Sequence, residues 1–327
     1  MRVISWCIHP VRFTTNEKST LKSNAAHNPR QISEHIYAAF LNKASLSDIP
    51  ITPRSKFALD GIFNDAHIKH RGASDEQVGR ALLSQEVDTS FIDKLWDDPA
   101  NKEFVDGFMY NKLCRDAAKG DETALEAYKH YAIQDYFYLI DYVKFRALRL
   151  ATVPSTDLST LESETPSVGR SYNWVVDWLQ TCTEDLGIDP AVIAKTERAI
   201  AELAYSNFLQ NNTRTEDWFN LHVIMIPCVF GWSKLALELY NDPTTKKGTT
   251  FYNTWIVPNI AFSAQGQAQL GSSAVRLANF LAVNADQWTS EIDRDENFTT
   301  LFRTAARLET ALFNSGYEAL GHALPPV

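Results

Sequence analysis

Tyr131, Asp135, Tyr138 and Tyr142 recur at i, i+4, i+7 and i+11, so a helix would present three phenols and a carboxylate on a single face. A carboxylate on an inward face must be hydrogen-bonded or must take up a proton, because an unpaired charge is costly away from water. Such a stripe suits a polar heterocycle stacked among the rings. It equally suits an aspartate satisfied by its neighbours and serving packing alone. Ile226-Pro227-Cys228 is the second feature, set in the most apolar stretch of the chain. Pro227 cannot donate to a helical ladder, so it kinks a helix or begins a new one. A new helix would put Cys228 near a positive helix end that favours a thiolate nucleophile; a continuous one leaves a small buried hydrophobe. Glu309 borders the stripe Leu301, Ala305, Leu308 and Leu312, where a surface glutamate near Arg303 or Arg307 is the ordinary reading. Tyr205 shares an apolar face with Ala201, Ala204 and Phe208, as a core tyrosine would.

The elements that must position these residues are helical. Apolar residues repeat at three and four through 91–96, 123–152, 172–187, 190–210, 221–240 and 297–317. Gly187 suits a helix end, Asp189 an N-cap and Pro190 a first turn, while Asn241-Asp242-Pro243 closes another helix. Strand-like alternation is nearly absent, which predicts an all-α bundle of long helices. The first 87 residues read differently. They form an N-terminal extension, partly disordered, with short helices expected over 31–42 and 74–85 and irregular structure between.

Composition excludes several classes. With 45% hydrophobic residues, a net charge of -9 and a pI near 5.4, the chain reads as a globule without a surface for phosphate backbones, so no nucleic-acid partner is expected. The apolar run Val223 to Trp232 is too short for a bilayer, so no membrane partner is expected either. Four scattered cysteines form no disulfide framework or zinc motif, and His67/His70 stand as a lone H-x-x-H. Neither H-x-x-E nor E-x-x-H occurs, so no metal and no cofactor is expected. A cytoplasmic location is the simpler expectation, with Arg2 and Arg12 in an acid-free start as the argument for mitochondrial import.

Together these residues resemble the TenA/thiaminase II family of the haem oxygenase-like helical superfamily. Tyr131-Ala132-Ile133-Gln134-Asp135-Tyr136-Phe137-Tyr138-Leu139 is similar to its Y-x-x-Q-D-x-x-Y-L signature, and Ile226-Pro227-Cys228 to the L-P-C segment holding its nucleophile. Leu95-Trp96 and Phe104-Val105 resemble its opening helix and following turn, and Trp255-Ile256 the W-I that opens a late helix. The resemblance covers roughly residues 88–320 and implies a helical domain over 88–327. It implies hydrolysis of an aminopyrimidine, 4-amino-5-aminomethyl-2-methylpyrimidine or thiamin, to hydroxymethylpyrimidine. Cys228 is then the nucleophile and Glu309 the proton-transfer group, with Asp135, Tyr138, Tyr205, Trp232 and Asn259 around a small-molecule substrate. It implies a homo-oligomer, a tetramer, as well. Trp232 and Asn259 replace tyrosines common in the family, and Glu309-Thr310-Ala311-Leu312-Phe313 departs from its usual E-x-x-F-W ending. Those departures keep a non-catalytic or repurposed heterocycle binder open, and the shared fold keeps a non-haem di-iron oxidase open.

Overall fold

The computed structural model describes residues 87–154, 157–288 and 294–321. The helices expected over 31–42 and 74–85, and the His67/His70 pair, lie outside the described residues. In chain order the helices begin with α1 (Ser90–Trp96), α2 (Lys102–Met109), α3 (Lys112–Ala118), α4 (Glu122–Arg149) and α5 (Leu158–Gln180). They continue with α6 (Pro190–Lys195), α7 (Ile200–Thr215), α8 (Trp218–Val223), α9 (Trp232–Asn241), α10 (Ser272–Trp288) and α11 (Arg294–Ala319). One antiparallel hairpin interrupts them, β1 (Ile260–Phe262) against β2 (Ala268–Leu270), with Ala261 opposite Gln269. The fold is all-α, as the periodicity predicts.

Local chemistry explains the starts and stops. Asp121 accepts from the Ala124 amide at 2.9 Å to open α4, and Asp217 from the Asn220 amide at 2.9 Å to open α8. Asp189 caps α6 through the Ala191 amide at 2.7 Å, with Pro190 in its first turn after Gly187 at φ 64°. α4 is the central element and packs against α5, α7 and α11. Its Tyr128, Tyr131, Ala132, Tyr138 and Phe145 are all sealed from solvent. Where α11 crosses it, only glycine fits. A Cβ built on Gly316 would lie 2.4 Å from the Ala127 carbonyl oxygen.

The structure corrects several boundaries. The helix expected from Tyr172 begins at Leu158; its polar first half is held by the buried Arg149, which donates to Glu164 at 2.6 Å, and by buried Ser167 and Ser171. The 190–210 stretch divides into α6 and α7, because Thr196 and Ala199 are extended. The 221–240 stretch divides too, into α8, a turn, a π-helical segment at Ile226–Gly231 and α9. Phe104 and Val105 lie within α2 rather than in a turn. Trp255-Ile256 ends a π-helical segment, Tyr252–Ile256, and the late helix α10 starts only at Ser272. α10 escaped the apolar pattern because alanines, Ala274, Ala278 and Ala285, supply much of its buried face. From Trp218 to Asn241 the chain is long and apolar enough to cross a membrane by composition, with mean hydropathy 1.4, yet 67% of that window is buried inside the bundle.

Candidate functional site

A cavity of about 490 Å³ opens between α4, α5, the start of α9 and the Tyr252–Ala274 region. Asp135, Tyr138, Cys228, Trp232 and Asn259 line it, so five of the seven residues singled out from the sequence meet in one cavity, open on one side. Glu309 and Tyr205 stand behind its wall, both fully buried. Trp232 links them to it by donating its indole N–H to Glu309 Oε1 at 2.5 Å. The Tyr205 ring packs 4.7 Å from that of Tyr138.

The α4 stripe does face inward. Tyr131, Asp135, Tyr138 and Tyr142 are each at most 3% exposed. Asp135 Oδ1 and the hydroxyls of Tyr131, Tyr138, Tyr142 and Tyr205 have no hydrogen-bond partner in the protein. Leaving so many buried polar atoms unpaired costs about 1–3 kcal/mol each, a cost that a polar ligand can relieve. One Asp135 oxygen is thus left without a partner, although the neighbouring Tyr131 hydroxyl acts to lower the carboxyl's pKa. Of the expected α11 stripe, Leu301, Ala305 and Leu312 are buried and Leu308 is half-buried. The buried side is wider than that stripe and takes in Phe302, Ala306, Phe313 and Glu309. On α7, Ala204 is exposed and the inward residues are Glu202, Tyr205, Ser206 and Leu209.

Burial sets the protonation states. Desolvation pushes the Glu309 carboxyl up to about 7, with Trp232 and then Tyr205 pulling it back. Desolvation, and then the facing charge of Glu309, push Asp135 well above the carboxylate range. Burial thus favours the neutral form of Asp135, which can donate as well as accept. Cys228 lies in the first turn of the Ile226–Gly231 segment, whose start is marked by Val229 donating to the Met225 carbonyl at 3.0 Å. A helix terminus contributes about 0.3–1 kcal/mol to an anion, less than one pKa unit. Burial and the charge of Glu309 raise the thiol from 9.0 to about 12, although Tyr138 and Tyr205 nearby act to lower it. Burial and the Glu309 charge therefore oppose the thiolate more strongly than the helix start favours it. The Cys228 thiol donates to the Met225 carbonyl at 3.5 Å.

Backbone irregularity places these groups. The π-helical segments Thr181–Asp185, Ile226–Gly231 and Tyr252–Ile256 each contribute to the cavity wall, through Thr181, through Cys228 and Val229, and through Thr254 and Trp255. Asn259 donates its side-chain N–H to the Trp255 carbonyl at 2.8 Å, which leaves its oxygen uncommitted. Sequence reasoning missed Trp255, whose ring stacks 5.1 Å from Phe251 and whose buried Nε1 has no partner. It also missed Trp174 and Trp178 one helical turn apart on α5, and Ser233, which accepts from the Gly271 amide at 2.7 Å. The i, i+4 tryptophans were a visible signal; Ser233 gave none. No group of three or more His, Cys, Asp or Glu gathers as a metal site among the described residues. His222 is a core histidine, its Nδ1 at 2.8 Å from the Trp218 carbonyl.

Comparison with known proteins places the chain. An aminopyrimidine aminohydrolase from Halalkalibacterium halodurans is 24% identical over 68% of this chain and 90% of its own length. A thiamine biosynthesis protein of Saccharomyces cerevisiae, THI22, is 26% identical over 76% of this chain, which spans only 40% of that protein. Among solved structures, a TenA homologue from P. horikoshii superposes with a TM-score of 0.57 at 15% identity, covering 70% of this chain and 98% of that one. A TenA family transcription regulator from Silicibacter gives 0.55 at 20% identity over 69% and 96%. These structures share the helical fold. With its model matching residues 118–317, the chain belongs to the TENA/THI-4/PQQC family.

Proposed function

We propose that the protein is a hydrolase of the thiaminase II type, displacing the group on the methylene carbon at C5 of a 4-aminopyrimidine. One observation carries this reading: a carboxyl with an unpaired buried oxygen (Asp135) and a thiol (Cys228) line the same aromatic cavity, with an acid of pKa about 7 (Glu309) behind it. One Asp135 oxygen accepts from the 4-amino group, and its proton goes to the adjacent ring nitrogen. That draws electrons from C6, where Cys228 adds. The thiol proton passes to the Glu309 carboxylate, directly or through the Tyr205 hydroxyl. The electron pair now stored in the ring expels the leaving group, which takes the proton from Glu309. Water adds its hydroxyl to the exocyclic methylene and its proton returns to the departing Cys228 sulfur, the ring nitrogen gives its proton back to Asp135 as aromaticity is restored, and hydroxymethylpyrimidine and the freed amine or thiazole remain. Enclosure among Tyr138, Trp232 and Trp255 fixes the ring, and such positioning supplies much of the acceleration.

Mass spectrometry of purified protein incubated with 4-amino-5-aminomethyl-2-methylpyrimidine, and separately with thiamin, tests the proposal. It expects hydroxymethylpyrimidine from at least one of them, and no product from either sinks it. A second reading, a heterocycle binder without turnover, is favoured by Trp232, which occupies one of the two Glu309 oxygens. Tight binding of the aminopyrimidine with no product would select it. An oxidase is disfavoured by the donor set, because Asp135 and Glu309 have no histidine beside them in any metal-sized cluster among the described residues.

A further inference from the structure

The cavity is larger than one pyrimidine needs, and its wall opposite the α4 carboxylate is of another kind. Ser272, Ser273 and Ala274, the first turn of the 17-residue α10, line it. Val275 donates to the Gly271 carbonyl at 3.1 Å, so the three amides before it have no acceptor within the helix. Tyr142 lines the same cavity, is 3% exposed, and has a buried hydroxyl with no partner; the proposed hydrolysis does not use it. Three arginines lie next to residues of this wall without lining the cavity themselves. Arg146 lies over the Tyr142 ring at 5.7 Å and its buried Nε is unpaired. Arg276 donates to Ser273 Oγ at 3.1 Å, and Arg170 precedes the wall residue Trp174 by one turn of α5. Partial desolvation, and then the charges of Arg170 and Arg146, lower the Arg276 pKa, as expected of neighbouring cations. Arg149 beside them is matched by Glu164 at 2.6 Å, whereas none of these three forms an ion pair among the described residues. Asp177 on the same wall is the one acid of the cavity lining besides Asp135. Arg170 and Arg276 are exposed and Arg146 half-buried, so this cationic edge is open to an anion entering from solvent.

We infer that this end of the cavity is an anion subsite, built from the α10 N-terminus, Tyr142 and Arg146, Arg170 and Arg276, for a phosphate monoester carried on the leaving group of the substrate. The inference rests on the proposed reading for the pyrimidine end. A phosphate suits it because helix amides and guanidiniums both match a dianion with several acceptor oxygens.

Calorimetric titration of the full chain with thiamin and with thiamin monophosphate at low and high salt tests it, because binding needs no turnover. The monophosphate should bind roughly tenfold or more tightly at low salt, with the advantage shrinking as salt rises. Arg276→Ala and the more exposed Arg170→Ala should each cut the ratio of the two affinities several-fold, while Arg276→Lys restores part of it. Equal affinities, or a ratio untouched by both alanine variants, would overturn the subsite. Binding of neither compound overturns it also, even if the aminomethylpyrimidine is hydrolysed. A preserved ratio in a protein that turns nothing over upholds the subsite and removes the hydrolase reading instead.

Discussion

At the scale of single residues, the account depends on how burial redistributes protons among three groups. Glu309 holds its proton to about pH 7 in the folded chain against 4.5 in its ordinary state. Because the folded pKa is raised, the folded state binds the proton more tightly, so the group's contribution to stability is full below about 4.5 and is lost as pH rises through about 7. At roughly 1.4 kcal/mol per unit this amounts to about 3 kcal/mol. Glu309→Gln removes that dependence. Urea unfolding at pH 5 and pH 8 should show the variant gaining on the parent protein at the higher pH; parallel losses would show that Glu309 titrates as a surface acid. The same variant should lower kcat/KM by about 10²–10⁴-fold, the usual worth of one proton-transfer group. Activity of the parent protein should rise through about pH 7 as Glu309 ionises to receive the thiol proton. The four-residue stripe of α4 was legible because a fixed 3.6-residue period assigns a face from spacing alone. Glu309 was not, since it borders the stripe Leu301, Ala305, Leu308 and Leu312, and spacing alone does not tell how far burial extends past such an edge.

At the scale of elements, close approach of α11 to α4 holds Glu309 opposite Asp135. Gly316→Ala would drive a methyl group against the Ala127 carbonyl, which today lies 2.4 Å from the Cβ position. Forced repacking of this kind costs about 1–3 kcal/mol, and displacement of α11 should cut turnover as well. Gly169→Ala is the control. It lies within α5 and its Cβ would meet nothing within 4 Å, so thermal melts should show a gain of about 0.5–1 kcal/mol from helix propensity. Destabilisation by Gly169→Ala, or indifference to Gly316→Ala, would contradict this packing. Helix ends with dedicated chemistry, such as Gly187-Ile188-Asp189-Pro190, were readable from the sequence. The three π-helical segments were not, because a wide turn follows from what packs beside it and leaves the apolar spacing almost unchanged. Pro227 announced an interruption without revealing its form.

At the scale of the whole molecule, the fold was readable because sustained helical periodicity with almost no alternation leaves few architectures, and the short β1–β2 hairpin does not alter that. The composition of the cavity was readable only in part. Residues of α4 announce themselves by type, whereas Ser233 and the first turn of α10 reach the cavity through loops whose course depends on tertiary packing. What the assembled bundle achieves is to bring a thiol from the Ile226–Gly231 segment into the same enclosure as a carboxyl from α4, backed by a carboxyl from α11. The most direct measurement is turnover of 4-amino-5-aminomethyl-2-methylpyrimidine by the parent protein and by Cys228→Ser, with circular dichroism to show that both are folded. The account predicts a fall on the order of 10³-fold or more in the variant with an unchanged helical spectrum. A folded Cys228→Ser protein that still turns the compound over at a near-parental rate would contradict it.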